Sequence, residues 1–562
     1  METSPMLPAR SAMNGDGGLT PLNSLVSALL TDMYQLTMSY AYWRAGRHDE
    51  HAVFDLFFRK CPFKGQFTVF AGLSEVVALM NSFSFSPADI SYLRTILPDC
   101  EEGFFTWLGG LDCRDVRVYA LAEGTLCFPR VPLIRVEGPL AVAQLLETPL
   151  LNLINYPSLI ATNAARLRLA AGPDKDMLEF GLRRAQGPDG ALSASRYSYI
   201  GGFNGTSNVL AGKLIGIAVR GTHAHSFVQS YTSFDQIKDP TLDGTNFVEA
   251  VKSYRDRLGS KATSSESELA AFTAYAQAFP NGFLALVDTY DTLQSGVPNF
   301  LCVALALDDL GHRAIGCRLD SGDLSYLSQE VRRMVTEASK TFDRPFLAST
   351  NIVASNDINE ESLHSLADQG HSIDTFGIGT NLVTCQAQPA LGCVYKLVSI
   401  EGKPRIKLSQ ATSKITIPGR KWVYRLLSAE GVPILDIMIK DGETPPQPGV
   451  PVLARHPFVA TKRARVTASQ VLPLQELVWD GKAGGIVFDM PTIDEVRAKV
   501  ARELAQVSVR RASSVNVSKG MSCLSKTPSL LIVVVAGNPS PLARSAPDLW
   551  YGFCFSTTTR LM

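Results

Sequence analysis

The sequence lacks net charge: 53 Lys and Arg balance 53 Asp and Glu over 562 residues. That removes bulk attraction to nucleic acid or to an acidic membrane surface, although a few placed arginines would still hold a phosphate. It has ten cysteines but no CxxC pair, which argues against a zinc ribbon or a dithiol redox motif. Scattered thiols in a long chain fit an intracellular, cytoplasmic protein. No segment reaches the ~20 apolar residues that cross a bilayer; the longest aliphatic run, Leu530 to Ala536, is far too short. The N-terminal stretch METSPMLPARSAMNGDGG has no apolar core of a secretory signal. Walker A, a helix-opening GxGxxG, GxSxG and HExxH are all missing.

What is present is a hydrophobic fraction of 46%, enough for a large buried core. Residues 1–27 read as a disordered leader. A helix-spaced stretch, SALLTDMYQLTMSYAYWRAG, is followed by strand-like pieces: HAVFDLFFRK, VRVYALAEGTLCF and VPLIRVEGPL. From about Leu150 strand and helix alternate, the sign of a parallel α/β arrangement. Short apolar strands end in polar or glycine residues: Arg183, His225, Asp288, Asp320, Asn356 and Gly377. Polar groups at successive strand C-ends predict a (β/α) barrel with its catalytic face there. A doubly wound sheet would instead gather ligand contacts at one switch point. Strand-like pieces return after about Leu391 as CVYKLVSIEGKPRIKLS, KWVYRLL and PILDIMI. The expected organisation is therefore α/β: residues 151–390 form an irregular (β/α) barrel, and 28–150 with 391–507 form a discontinuous second α+β domain. Residues 508–562 are Ser-, Thr- and Pro-rich, divergent, and expected to be a disordered tail.

Three motifs carry chemistry. In RLDSGDL, Arg318, Asp320 and Ser321 stand at a strand end, with Gly322 allowing a tight turn. Arginine offers a planar fork for a carboxylate or phosphate; the aspartates suit a divalent cation or ribose hydroxyls. The plain alternative is a helix N-cap, with Asp320 or Ser321 capping and Asp323 in the first turn. In GTHAHS, His223 and His225 are two apart, so on a strand they face the same way; with no third His or Cys nearby they do not make a metal set. In GIGT, Gly377 to Thr380 would form a turn whose amides can cradle an anion, or simply a glycine turn. At separate strand ends of one barrel the three describe a basic, glycine-lined site with carboxylates. That suits a phosphorylated sugar and a divalent ion without naming a reaction.

Sequence similarity narrows this. The stretches LLTDMYQLTM, ETPLLNLINYPSLIATNAARLR, EFGLRRAQGPDGA, GGFNGTSNVLAGKL, GTHAHSFV, VDTYD, RLDSGDL, ASNDINEE and GIGTNLVTC strongly resemble the nicotinate phosphoribosyltransferase family. The resemblance runs from about Leu29 to about Gln506. It implies condensation of nicotinate with 5-phosphoribosyl 1-pyrophosphate, coupled to ATP hydrolysis through a phosphohistidine, with Mg²⁺ or Mn²⁺. It also implies a homodimer with shared active sites. Carried over by motif, His225 is the phosphorylated histidine. Thr222 and Arg318 contact the nicotinate carboxylate, Phe180 covers one ring face, and Tyr34 stacks on the ring across the dimer interface. Arg183, Gly377, Gly379 and Thr380 hold phosphates; Asp288 and Asp320 bind the metal and ribose.

The nearest rival by resemblance is nicotinamide phosphoribosyltransferase, which carries Asp where Ser207 stands. An Asp there would repel a substrate carboxylate by roughly 4 kcal/mol for like charges about 4 Å apart at an intermediate dielectric. Ser207 therefore favours the acid. A Schiff-base lyase would need a strand-end lysine, where Arg318 and Arg183 stand instead. The divergent tail also leaves a catalytically impaired binding protein as an alternative.

Overall fold

The structure is a computed structural model that describes residues 20–410, 414–457, 461–513 and 533–534. The expected leader lies outside the described residues up to position 19, and the expected tail lies outside them beyond 513 except for 533–534. Residues 20–27 are tied down by turns and by Leu22, whose N–H donates to the Glu75 carboxylate at 2.9 Å.

The described chain divides into two compact units, one spanning Asn163–Ala387 and the other formed by the segments before and after it. The first is built on six parallel strands: β1 (Asp176–Glu179), β2 (Gly205–Thr206), β3 (Leu284–Leu286), β4 (Gly316–Leu319), β5 (Asn351–Ala354) and β6 (Thr375–Ile378). Their spatial order is β3-β4-β5-β6-β1-β2. Every strand except β2 thus lies beside its successor in the chain, and β6 pairs with β1. That cyclic order is a barrel's; a doubly wound sheet would reverse direction at a switch point. The gap between β2 and β3 is spanned irregularly. Val219 makes one parallel bridge to Thr206, and the Leu286 N–H donates to His223 Nε2 at 3.4 Å. This is an irregular (β/α) barrel.

The strands are short and apolar because they are buried on both faces. Met177, Ala285, Leu286, Cys317, Leu319, Ile352, Phe376 and Ile378 are all buried. Helices follow most strand ends: Gly187–Ile200, Val209–Ile215, Val297–Asp309, Leu324–Thr341 and Glu360–Gln369. The helix Val297–Asp309 is hydrophobic almost all round, and Phe300 to Leu307 are buried without a break, as expected of a helix inside a large core.

The second unit is α+β. Its strand His51–Phe58 pairs antiparallel with Ile134–Pro139 on one side and with Cys393–Ile400 on the other. A single sheet therefore joins segments from both sides of the barrel unit, and the domain is discontinuous. A second sheet contains Lys421–Leu427 and Pro433–Lys440. The fully buried Arg135 guanidinium sits 4.2 Å from both the Tyr119 and Trp422 ring centroids and pairs with Glu137 at 2.6 Å. Charge and two ring faces compensate its desolvation. Among the described residues no helix is long and apolar enough to cross a membrane.

Candidate active site

The strand C-ends of the barrel unit gather most of the residues singled out above. At β4, Arg318 stands within the strand and Asp320 follows it. Arg318 Nε donates to Ser355 Oγ at 2.7 Å, and a terminal nitrogen donates to Asp320 Oδ1 at 3.1 Å. Ser355 Oγ also donates to Asp320 Oδ1. Guanidinium, hydroxyl and carboxylate thereby fix one another across β4 and the end of β5. The Arg318 guanidinium carbon lies 5.3 Å from the Phe180 ring centroid, within cation–π range.

Phe180 follows β1, its N–H bonded to Ile378 O at 2.9 Å. Its ring lies directly over Gly377: a Cβ at that position would come within 2.4 Å of two ring carbons. Gly377 is therefore required by close approach and sits inside β6 rather than in an anion-cradling turn. Gly379 follows β6 and precedes the short helix Thr380–Val383. Arg183 is exposed on the turn Leu182–Arg184, beyond the end of β1.

Asp288 follows β3. Its Oδ2 accepts the Asp320 N–H at 3.0 Å and the Ser321 hydroxyl. Its Oδ1 is buried and has no partner among the described residues. The helix after β4 is capped by Asp323, whose carboxylate accepts the Tyr326 N–H at 3.0 Å. The alternative of a cap at Asp320 or Ser321 is not the one formed; the cap lies at Asp323, which leaves both of those side chains for the site. Gly322, with φ +79°, makes the intervening turn.

The two histidines do not share a face. The chain leaves extended conformation at Ala224 and turns into the helix His225–Gln229, so the two-residue spacing of a strand does not apply. His223 is buried among Phe227, Phe272 and Tyr275, with ring centroids 5.4, 6.2 and 4.8 Å away. Nε2 accepts from Leu286 N–H and Nδ1 faces Ala224 O at 3.4 Å, which fixes the neutral Nδ1–H tautomer. Burial lowers its pKa to about 4. His223 is a packing residue. His225 is partly exposed: Nδ1 lies 3.1 Å from Thr289 Oγ1, and Nε2 lies 3.7 Å from Asp320 Oδ2.

Thr222 and Ser207 are both half-buried. Ser207 N–H donates to Glu179 O at 2.9 Å, which ties the β2 end to the β1 end. Tyr34 is half-exposed on the helix Met33–Arg44 of the second unit.

Sequence reasoning assigned no role to Ser355, Thr289 or Glu179. Ser355 directly follows the buried strand residue Ala354 in ASND, the same signal that marked Asp320 after Leu319. Thr289 adjoins Asp288. Glu179 is read as a strand residue, and its burial is not visible in the pattern.

Fold and site together define a (β/α)-barrel protein whose strand ends assemble arginine, carboxylates, a histidine and a ring face around one place. Comparison with known proteins narrows the class. Residues 29–155 match the nicotinate phosphoribosyltransferase N-terminal domain, 176–429 the nicotinate phosphoribosyltransferase family, and 420–514 its C-terminal domain. The chain is 54% identical to the nicotinate phosphoribosyltransferase of Dictyostelium discoideum over 87% of its own length and 85% of that protein's. It is 48% identical to the Homo sapiens nicotinate phosphoribosyltransferase over 86% and 91%. The crystal structure of human nicotinic acid phosphoribosyltransferase superposes with a TM-score of 0.78 at 44% identity, covering 90% of this chain and 97% of that one. The chain belongs to the nicotinate phosphoribosyltransferase family.

Proposed function

We propose that this protein condenses nicotinate with 5-phosphoribosyl 1-pyrophosphate to give nicotinate mononucleotide and pyrophosphate, a step in NAD synthesis from nicotinate. The observation that carries the reading is the Arg318–Phe180 pair. It offers a carboxylate-matching fork beside a ring face, the two features a planar aromatic acid needs. High identity to relatives named for this activity supports it.

The chemistry asks little covalent work of the protein. The pyridine nitrogen of nicotinate attacks the ribose anomeric carbon as pyrophosphate leaves, and the ring nitrogen becomes cationic without losing a proton. Catalysis is then orientation plus stabilisation of charge on the leaving group. Arg318 and Thr222 hold the carboxylate, Phe180 the ring, and Ser207 tolerates the negative charge. Arg183, Gly379 and Thr380 line the phosphates. The unpartnered Asp288 Oδ1 is an oxygen that a cation would satisfy, and Asp320 stands beside it through its own N–H. Mg²⁺ or Mn²⁺ suits such a site, since Mg²⁺ takes one or two carboxylates together with substrate phosphates. Bound there, the ion neutralises leaving-group charge. His225 is the residue we assign to ATP coupling, as a phosphohistidine whose added charge biases sugar-phosphate binding.

We place the protein in the cytoplasm, where the free thiols of its described cysteines are stable. We also infer a homodimer with shared sites. Val209, Leu210, Leu214 and Val219 form an exposed apolar face on the barrel unit, and Met33 and Tyr34 another on the second unit. Tyr34 of the partner subunit would then stack on the nicotinate.

The deciding experiment is pyrophosphate release with nicotinate or nicotinamide at equal concentration. Faster release with nicotinate is expected; equal or faster release with nicotinamide would sink the assignment.

A further inference from the structure

Glu179 ends β1 with 1% of its surface exposed. Among the described residues its carboxylate is held by neutral donors alone. Oε1 accepts the Gly181 N–H. Oε2 accepts the Ser195 hydroxyl at 2.9 Å and the Thr206 hydroxyl. These donors come from three elements: the turn after β1, the helix Gly187–Ile200, and β2. A buried carboxylate without a cation is expensive to keep, and removing its donors one by one would leave charge unsatisfied.

The network surrounds two residues of the site. Gly181 follows Phe180. Thr206 precedes Ser207, and the Thr206 hydroxyl also accepts the Asn208 N–H at 2.9 Å. Asn208 Nδ2 reaches Ser195 Oγ at 3.2 Å. The Glu179 main-chain oxygen accepts the Ser207 N–H at 2.9 Å. The turn has no slack: a Cβ at Gly181 would lie 2.2 Å from a Val383 methyl and 3.0 Å from Glu179 Oε1. Side chain and main chain of one residue thus clamp the β1 end to the β2 end.

We propose that Glu179 is a positioning residue for the pyridine substrate, locking Phe180 and Ser207 at a fixed separation so that ring stacking and carboxylate tolerance act on the same bound ring. The proposal rests on the functional reading above. It separates two kinds of strand end. Arg318, Asp288 and Asp320 are fixed by one another within the site, whereas Phe180 and Ser207 are fixed from beneath by a group that substrate does not touch.

The test is steady-state kinetics on Glu179→Gln and Thr206→Val. Gln keeps an oxygen for the Gly181 N–H but turns an NH₂ toward two hydroxyls. Val keeps the β-branched shape and deletes one donor. For Glu179→Gln, kcat/KM for nicotinate should fall roughly 10–100-fold, as when contacts made equally in the bound substrate and the transition state are weakened. The loss should lie in KM for nicotinate, with kcat and KM for phosphoribosyl pyrophosphate changed by less than about threefold and the inhibition constant of nicotinamide moving less than the nicotinate KM. Thr206→Val should show the same split, and the double variant should fall short of the summed losses. If Glu179→Gln does not fold, Thr206→Val carries the same readout. A loss spread equally over kcat and both KM values, or a lowered Tm with unchanged KM for nicotinate, overturns the proposal and leaves Glu179 a stability residue. Wild-type protein that fails to use nicotinate overturns instead the functional reading beneath it.

Discussion

His225 Nε2 stands 3.7 Å from Asp320 Oδ2, while the other oxygen of that carboxylate is held by Arg318 at 3.1 Å. One aspartate therefore faces the histidine assigned to phosphorylation and the arginine assigned to substrate. Through its N–H it also contacts Asp288 at 3.0 Å. Changes at His225 should be felt at the cation and substrate positions, because the carboxylate is shared.

His225→Ala should abolish acid-labile phosphate on the protein and ATP-stimulated turnover, while slower ATP-independent synthesis persists. His223 cannot substitute, since its ring is buried and both its nitrogens are engaged. Labelling of the His225→Ala protein at wild-type level, read by phosphate release in acid, would exclude His225 as the acceptor.

Arg318→Ala should raise KM for nicotinate more than Arg318→Lys. Lysine keeps the charge but lacks the planar fork whose separate nitrogens reach Ser355 and Asp320. Loss of a charge-assisted hydrogen bond of about 1.5–3 kcal/mol corresponds to roughly 10–100-fold. Wild-type specificity constants in Arg318→Ala would make the residue structural only.

Gly377→Ala should displace the Phe180 ring, because the added methyl would sit 2.4 Å from it. Overpacking of this kind costs about 1–3 kcal/mol. Removing the ring as well, in Gly377→Ala with Phe180→Ala, should recover Tm but not nicotinate binding. A single Gly377→Ala variant with unchanged Tm and KM would mean that the ring moves freely.

Two buried groups titrate in opposite senses. Glu268 is fully buried, and burial raises its pKa from 4.5 to about 7, against the lowering effect of Ser295 and Asn299. Its folded pKa is raised, so the stability it contributes is complete below about pH 4.5 and is lost as pH rises through 7. His223 is depressed from 6.5 to about 4. Its contribution is complete above pH 6.5 and lost as pH falls through 4. Each is of order 3 kcal/mol at about 1.4 kcal/mol per pH unit, so they nearly cancel between pH 4.5 and 6.5. Glu268→Gln should expose the histidine slope: stability, measured by denaturant unfolding, rising from pH 4.5 to 6.5 and exceeding wild type at pH 8. An unchanged pH profile would mean Glu268 is charged when folded.

The legible parts of the site were those where a polar residue interrupts an apolar strand. Asp288, Asp320 and Arg318 announce themselves that way, and alternating strand and helix located the barrel. Three features were not legible. The H-x-H spacing of His223 and His225 implies one face only if the strand continues, and the turn at Ala224 is set by packing of His223 among distant aromatics. RLDSGDL offers three possible caps, and which one caps depends on where β4 ends. Glu179 depends on Ser195 and Thr206, partners that pattern reading does not join.

The sheet of the second unit carries a consequence for biosynthesis. Strand His51–Phe58 meets Cys393–Ile400 only after the whole barrel unit has been made; His51 and Glu401, which bond through N–H and carboxylate, are 350 positions apart. At about 5–20 residues per second, a ribosome takes roughly 20–70 s to cover that distance. For that time the apolar strand has one unpaired edge, open to pairing with another nascent chain. Slowing elongation through the barrel-coding region should therefore lower the yield of soluble protein, and a chaperone that shields strand edges should restore it.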